Sequence, residues 1–172
     1  MDGIALNKLG TAELLKLFAE VLDELRTRRV IRSTNNPVAD YTEQLVACAL
    51  SLELRTKSTT GFDAVDSAGR RYEIKGRRPT SRNRSTQLSA IRGLEQKHFD
   101  FLAGVLFNED FTVASACLIP HDVVARLAKY RAHVNASILH LRPGLWSEPG
   151  VQDISAQVRA AQPAVCSAVS RQ

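Results

Sequence analysis

Between residues 11 and about 29, Leu14, Phe18, Val21 and Leu25 recur at i, i+4, i+7 and i+11, with Leu15 and Leu22 beside them. That period predicts a long amphipathic helix with Thr11 as N-cap and Glu13 placing a carboxylate in the first turn. Its broad apolar stripe can dock on the chain's own core or on a second copy. Asn35-Asn36-Pro37 breaks the pattern, and a second helix is expected over 39–50, with Tyr41, Leu45 and Cys48 on one face and Glu43 on another. The period then shortens. Residues 52–56 alternate apolar and polar, 61–66 and 71–77 follow as strand candidates, and 101–107 and 112–119 read as buried strands. Further helices are expected at 86–93, from Pro120 to about Tyr130 and over 151–161, with a short strand at 138–141. The order ααβββαββα predicts an α/β domain around a central mixed sheet. The expected divisions are a helical extension over 1–34, the domain itself over 35–162, and a small, polar tail over 163–172.

Composition narrows the class. A chain of 172 residues, 44% of them hydrophobic, is long enough for one domain with a core of its own. No run reaches the roughly 18 apolar residues of a membrane span, and the first ten residues lack a signal-peptide pattern, so a cytoplasmic protein is expected. Cys48, Cys117 and Cys166 are far apart and form no CxxC, which argues against a disulfide scaffold or a zinc site.

Charge changes the picture only once it is located. The chain has 23 basic and 18 acidic residues, a net +5. Residues 70–84 alone hold Arg70, Arg71, Lys75, Arg77, Arg78, Arg82 and Arg84 against the single acid Glu73, a net +6 that leaves −1 for the rest. Such a stretch marks a polyanion site, nucleic acid before membrane, or a solvated charge run.

The chemistry lies in the hairpin that carries this charge. A three-residue loop, Ser67-Ala68-Gly69, suits Gly69 in a left-handed position and sets Val65 opposite Arg71, Ala64 opposite Tyr72 and Asp63 opposite Glu73. Asp63 and Glu73 then share a face with Arg71, Lys75 and Arg77, while Tyr72, Ile74 and Gly76 turn the other way. A two-residue loop would reverse the parity and favour Asp66. Two facing carboxylates repel unless a cation lies between them, and Mg²⁺ suits such hard oxygen ligands. Lys75 lies two residues further along the same face, within reach of an attacking water. Arg77, Arg78, Arg82 and Arg84 supply contacts for a phosphate backbone.

Gly61-Phe62-Asp63 followed by Tyr72-Glu73-Ile74-Lys75 resembles the PD-(D/E)xK, or restriction-endonuclease-like, nuclease superfamily. The resemblance spans about residues 36–119, with Phe62 where the family's name has proline. It implies a restriction-endonuclease-like core and metal-dependent phosphodiester hydrolysis, with Mg²⁺ or, in its place, Mn²⁺. Asp63 and Glu73 correspond to the metal ligands, Lys75 to the catalytic lysine, and Glu43 on the preceding helix to a metal-supporting acid. Restriction, phage defence or repair is the implied context, and double-stranded DNA the expected substrate. Each chain shows one such site, so a homodimer or partner subunit is expected for cutting both strands.

Other patterns carry less. Arg71 and, on the expected helix after the basic loop, Gln87 are further candidates for nucleic-acid contact. Glu95-Gln96-Lys97 repeats the acid-x-lysine spacing without a hairpin partner and reads as surface. His98, His121, His133 and His140 have no metal-ligand spacing. Trp146 reads as a packing anchor or, less simply, a base-stacking group. Competing interpretations are a cross-strand network in which Lys75 and Arg71 merely neutralise the acids, a non-catalytic nucleic-acid-binding subunit, and an interaction protein paired through its first helix.

Overall fold

The computed structural model describes residues 4–33, 36–55 and 61–167. Of the ranges and residues given above, 1–3, 34–35, 56, 168–172 and the Cys166 side chain lie outside this description. Helix α1 spans Thr11–Thr27 and α2 Val38–Leu50. Strands β1 (Glu53–Leu54), β2 (Ala64–Val65) and β3 (Arg71–Arg77) follow, then β4 (Phe101–Phe107), β5 (Val113–Pro120) and α3 (His121–Leu127). The hairpin β6 (Lys129–Arg131) and β7 (Ala136–Ile138), the short β8 (Gln152–Asp153) and α4 (Ser155–Ser167) complete the chain. The main sheet has the order β1-β2-β3-β4-β5-β8, in which only β3 and β4 are parallel. The fold is thus α/β, a mixed sheet flanked by helices.

Alternation along β3 and β4 divides the core. Tyr72, Ile74, Ala103 and Val105 pack with Leu45 and Val46 of α2 and Val158 of α4 on one face. Leu102, Cys117 and Ile119 pack on the other with Val123 and Val124 of α3 and with Leu88, Ile91, Leu139 and Leu141. Gly76 makes the first face possible at close range: a Cβ there would meet Thr42 Oγ1 at 2.0 Å. Its missing side chain lets α2 settle directly on β3.

Several elements differ from the sequence expectation, each for a tertiary reason. No helix forms at 86–93; the segment is extended. The Leu88 and Ile91 N–H groups donate to the Leu139 and Ser137 carbonyls at 2.9 Å each. Eight residues are too few to hold a helix without tertiary support, and pairing with Ser137 and Leu139 buries Leu88 and Ile91, whose i, i+3 spacing only mimics a helical stripe. Helix α3 stops at Leu127 because Lys129–Arg131 pairs with β7. Helix α4 begins late because Gln152–Asp153 joins β5, and it runs through Pro163 with Val165 buried, so the expected tail begins inside a helix. Gly10, not Thr11, caps α1, its N–H donating to Glu13 Oε2 at 2.7 Å.

The stripe on α1 is only half used. Leu22 and Leu25 rest on the core, while Leu14, Leu15, Phe18 and Val21 stay exposed. No described helix is long and apolar enough to cross a membrane. Stability should follow this partition. Leu45→Ala, at a position with no exposed surface, should cost about 2–5 kcal/mol in denaturant unfolding. Phe18→Ser, at a side chain left 61% exposed, should stay within about 0.5 kcal/mol.

Candidate functional site

The β2–β3 hairpin closes with the three-residue loop. Ala64 pairs with Tyr72 and Val65 with Arg71, and Gly69 has φ +78°. Asp66 therefore falls on the parity away from Glu73 and serves the turn, accepting from the Ala68 and Arg70 N–H groups at 2.9 Å and the Tyr72 hydroxyl at 3.0 Å. Desolvation pushes this carboxyl up, but these bonds and the Arg70 guanidinium outweigh it and hold the carboxyl below its ordinary range.

Asp63 sits where the β2 ladder runs out. Its N–H donates to the Tyr72 carbonyl at 2.8 Å, and its Oδ2 accepts the Ile74 N–H at 2.7 Å. The carboxylate replaces a strand carbonyl and is thereby laid against β3. Burial, then the charge of Glu73, push the Asp63 carboxyl up to about 6, against the pull of the Ile74 N–H, Lys75 and Arg32. Beside it, Lys75 Nζ lies 2.7 Å from Glu73 Oε1, with the two side chains only 11% and 16% exposed. Asp63, Glu73 and Lys75 therefore form one electrostatic cluster on the side of β3 away from Tyr72 and Ile74.

Glu43 is drawn elsewhere. It forms an ion pair with Arg32, whose Nη1 also donates to the Arg55 carbonyl at 3.2 Å. Among the described residues, no group of three acidic, imidazole or thiol side chains converges to hold an ion. The link from Glu43 to Asp63 runs through Arg32, a residue the sequence pattern did not mark. Arg32 is set in place by Asp40 in the first turn of α2, whose buried Oδ2 accepts the Arg32 and Ser33 N–H groups at 2.7 and 2.8 Å and the Ser33 hydroxyl at 2.8 Å. Acids at 40 and 43, one turn apart, were the only trace of this arrangement in the sequence.

The basic residues divide into engaged and unengaged sets. Arg71 forks onto Asp100, its N–H and Nη2 donating at 2.8 and 3.0 Å to the two carboxylate oxygens. That clamp ties the start of β3 to the residue before β4, and hydrogen bonding from Arg71 holds the Asp100 carboxyl below its usual range. Arg77 Nε donates to the Ser85 carbonyl at 2.9 Å, which pins the basic loop. Arg78 donates to the Glu109 carbonyl at 2.6 Å and stacks 4.3 Å from the Phe111 ring centroid, beside Tyr41 on the α2 side of the sheet. Arg82, Arg84 and Gln87 are exposed, with Gln87 on the extended segment rather than a helix. His121 is buried and bonded to the Leu94 carbonyl at 2.8 Å, Trp146 packs against the α3-side core, and Glu95 and Lys97 are exposed.

Asp63 and Glu73 suit a hard divalent cation. Both offer oxygen donors, both are held close to one strand, and their mutual repulsion is what a cation would relieve. The sign of the pH dependence follows. Asp63 binds its proton more tightly folded than unfolded, so its contribution to stability is full below about pH 4 and is lost as pH rises through about 6. Asp63→Asn keeps the acceptor for the Ile74 N–H but not the charge. In chelator, it should gain roughly 2 kcal/mol over the native chain at pH 7.5 and little at pH 4. Thermal unfolding at the two pH values reads this directly. Comparison of the chain with protein-family models and with curated proteins finds no match, so this geometry is the ground on which a function is argued.

Proposed function

We propose that this chain is a metal-dependent endonuclease of restriction-endonuclease-like core, cutting DNA by phosphodiester hydrolysis. The observation that carries the reading is the Asp63–Glu73–Lys75 cluster: two repelling, largely buried carboxylates beside an equally buried ammonium. A surface charge network would keep its members in water, where they cost little. Burying three charged groups together costs several kcal/mol unless a bound partner uses them. A non-catalytic nucleic-acid-binding subunit would need the basic track but not this cluster.

In this reading, Asp63 and Glu73 would hold Mg²⁺, or Mn²⁺ as substitute. When bound there, such an ion would polarise a phosphoryl oxygen and make a water beside it more acidic. Lys75 Nζ, tethered by Glu73, orients that water and donates to the phosphoryl oxygen on which charge grows. Water oxygen bonds to phosphorus as the bond to the leaving sugar oxygen breaks; the proton the water loses passes to solvent, and the leaving oxygen takes one from solvent. Arg32 limits the repulsion around Asp63 and steadies Glu43, which acts behind the ligands. Arg77 keeps the loop bearing Arg82 and Arg84 folded beside the strand, ready for the backbone of the substrate. Cutting both strands takes a second copy or a partner subunit, and the exposed Leu14, Leu15, Phe18 and Val21 face of α1 is the surface offered to it.

The full chain incubated with supercoiled plasmid should nick it in Mg²⁺ or Mn²⁺ and leave it intact in chelator. Asp63→Asn and Lys75→Met should each reduce cleavage about 100-fold or more, and Glu43→Gln less. Cleavage that persists in both of the first two variants would overturn the assignment.

A further inference from the structure

A second cationic surface lies outside the hairpin. Residues 129–142 contain Lys129, Arg131, Arg142, His133 and His140 and no acid. Lys129, Arg131, His140 and Arg142 line one cleft of about 340 Å³ together with Glu148. Glu148 is neutralised by Arg126, 2.9 Å away. Lys129, Arg131 and Arg142 have no carboxylate within ion-pair distance among the described residues, so the cleft carries uncompensated positive charge.

Its position ties it to the acid pair. Leu141 is packed onto Gly104, where a Cβ would stand 2.9 Å from the leucine Cδ2. Gly104 pairs with Lys75 in the parallel β3–β4 register. The residues on either side of Leu141, His140 and Arg142, are therefore carried on the same face of the sheet as Glu73 and Lys75. The segment leaving the basic loop is stitched to this one: Leu141 N–H donates to the Thr86 carbonyl at 3.1 Å, and Gln87 bridges His140. The two basic stretches, 45 residues apart from Arg84 to Lys129 by count along the chain, are thus joined in space.

We infer that the cleft between the β6–β7 hairpin and residues 140–142 is a second phosphate-binding site for nucleic acid, extending the contact surface beyond the phosphate at the acid pair. Lys129 and Arg131, two residues apart on β6, project from one side of the strand about 7 Å apart. With Arg142 they form a row rather than a point, which suits a chain of phosphates better than a single small anion. The inference rests on the nucleic-acid half of the proposed function and not on catalysis.

Binding of the full chain to a fluorescent 24-base-pair DNA duplex, in chelator and over a range of salt, tests it. The triple variant Lys129→Gln, Arg131→Gln, Arg142→Gln should bind about tenfold more weakly or worse. Its slope of log K against log salt should be shallower by about 2–3, roughly one for each phosphate contact removed. Arg142→Gln alone, at an exposed side chain, should retain the native unfolding temperature and lose about one unit of slope. Unchanged affinity and slope in both variants would overturn the inference, as would loss of binding to phosphatidylserine vesicles with DNA binding intact. A chain that binds DNA through these residues yet never cuts would refute the nuclease reading and leave this site standing. Cutting by a triple variant whose DNA binding is unimpaired would do the reverse.

Discussion

The Asp63 carboxylate, accepting the Ile74 N–H at the point where β2 stops pairing, is the contact on which the rest of the site depends. A strand this short leaves the next N–H of β3 without a partner, and an unpaired buried backbone donor is costly. Asp63 meets that demand and in doing so is brought beside Glu73, where its own charge is unwelcome. The hydrogen bond and the repulsion belong to one arrangement: satisfying the backbone places the acid pair. Lys75 and Arg32 then moderate the repulsion from two directions, one from the same strand and one from the turn before α2.

The strand below this contact works because its two faces are different. Tyr72 and Ile74 give α2 an apolar surface, and Gly76 removes the side chain that would hold Thr42 away. With that face committed to packing, Glu73, Lys75 and Arg77 must take the other. Arg71 and Asp100 clamp the start of the strand to the connection entering β4, so the parallel pairing that carries Lys75 past Gly104 is tied at its origin. The functional proposal and the second phosphate site both draw on this register, because Leu141 can lie over Gly104 only where no side chain intervenes.

Much of this was legible from local pattern. β3 and β4 were read at their observed ends, and the hairpin register followed from Gly69 and the length of the loop, because period-two alternation and turn chemistry act within a few residues. The 86–93 segment was not legible. Its Leu88 and Ile91 spacing is compatible with a helix, and only Ser137 and Leu139, some fifty residues later, make it extended. Arg32 is hidden for a similar reason: its role comes from Asp40 holding its backbone and Glu43 holding its side chain, and two acids one turn apart on α2 do not say which residue they hold.

The sequence alone determined which side chains share a face of β3 and where positive charge concentrates, and it narrowed the acid facing Glu73 to Asp63 or, with a shorter turn, Asp66. These depend on alternation and on a single turn, so a few neighbouring residues decide them. Tertiary structure decided that Glu43 turns to Arg32, that Arg71 turns to Asp100, and that Arg78 lies on the α2 side of the sheet. It also brought residues 129–142 beside the basic loop. Long charged side chains reach several partners equally well, and which partner is present depends on elements far away in the chain.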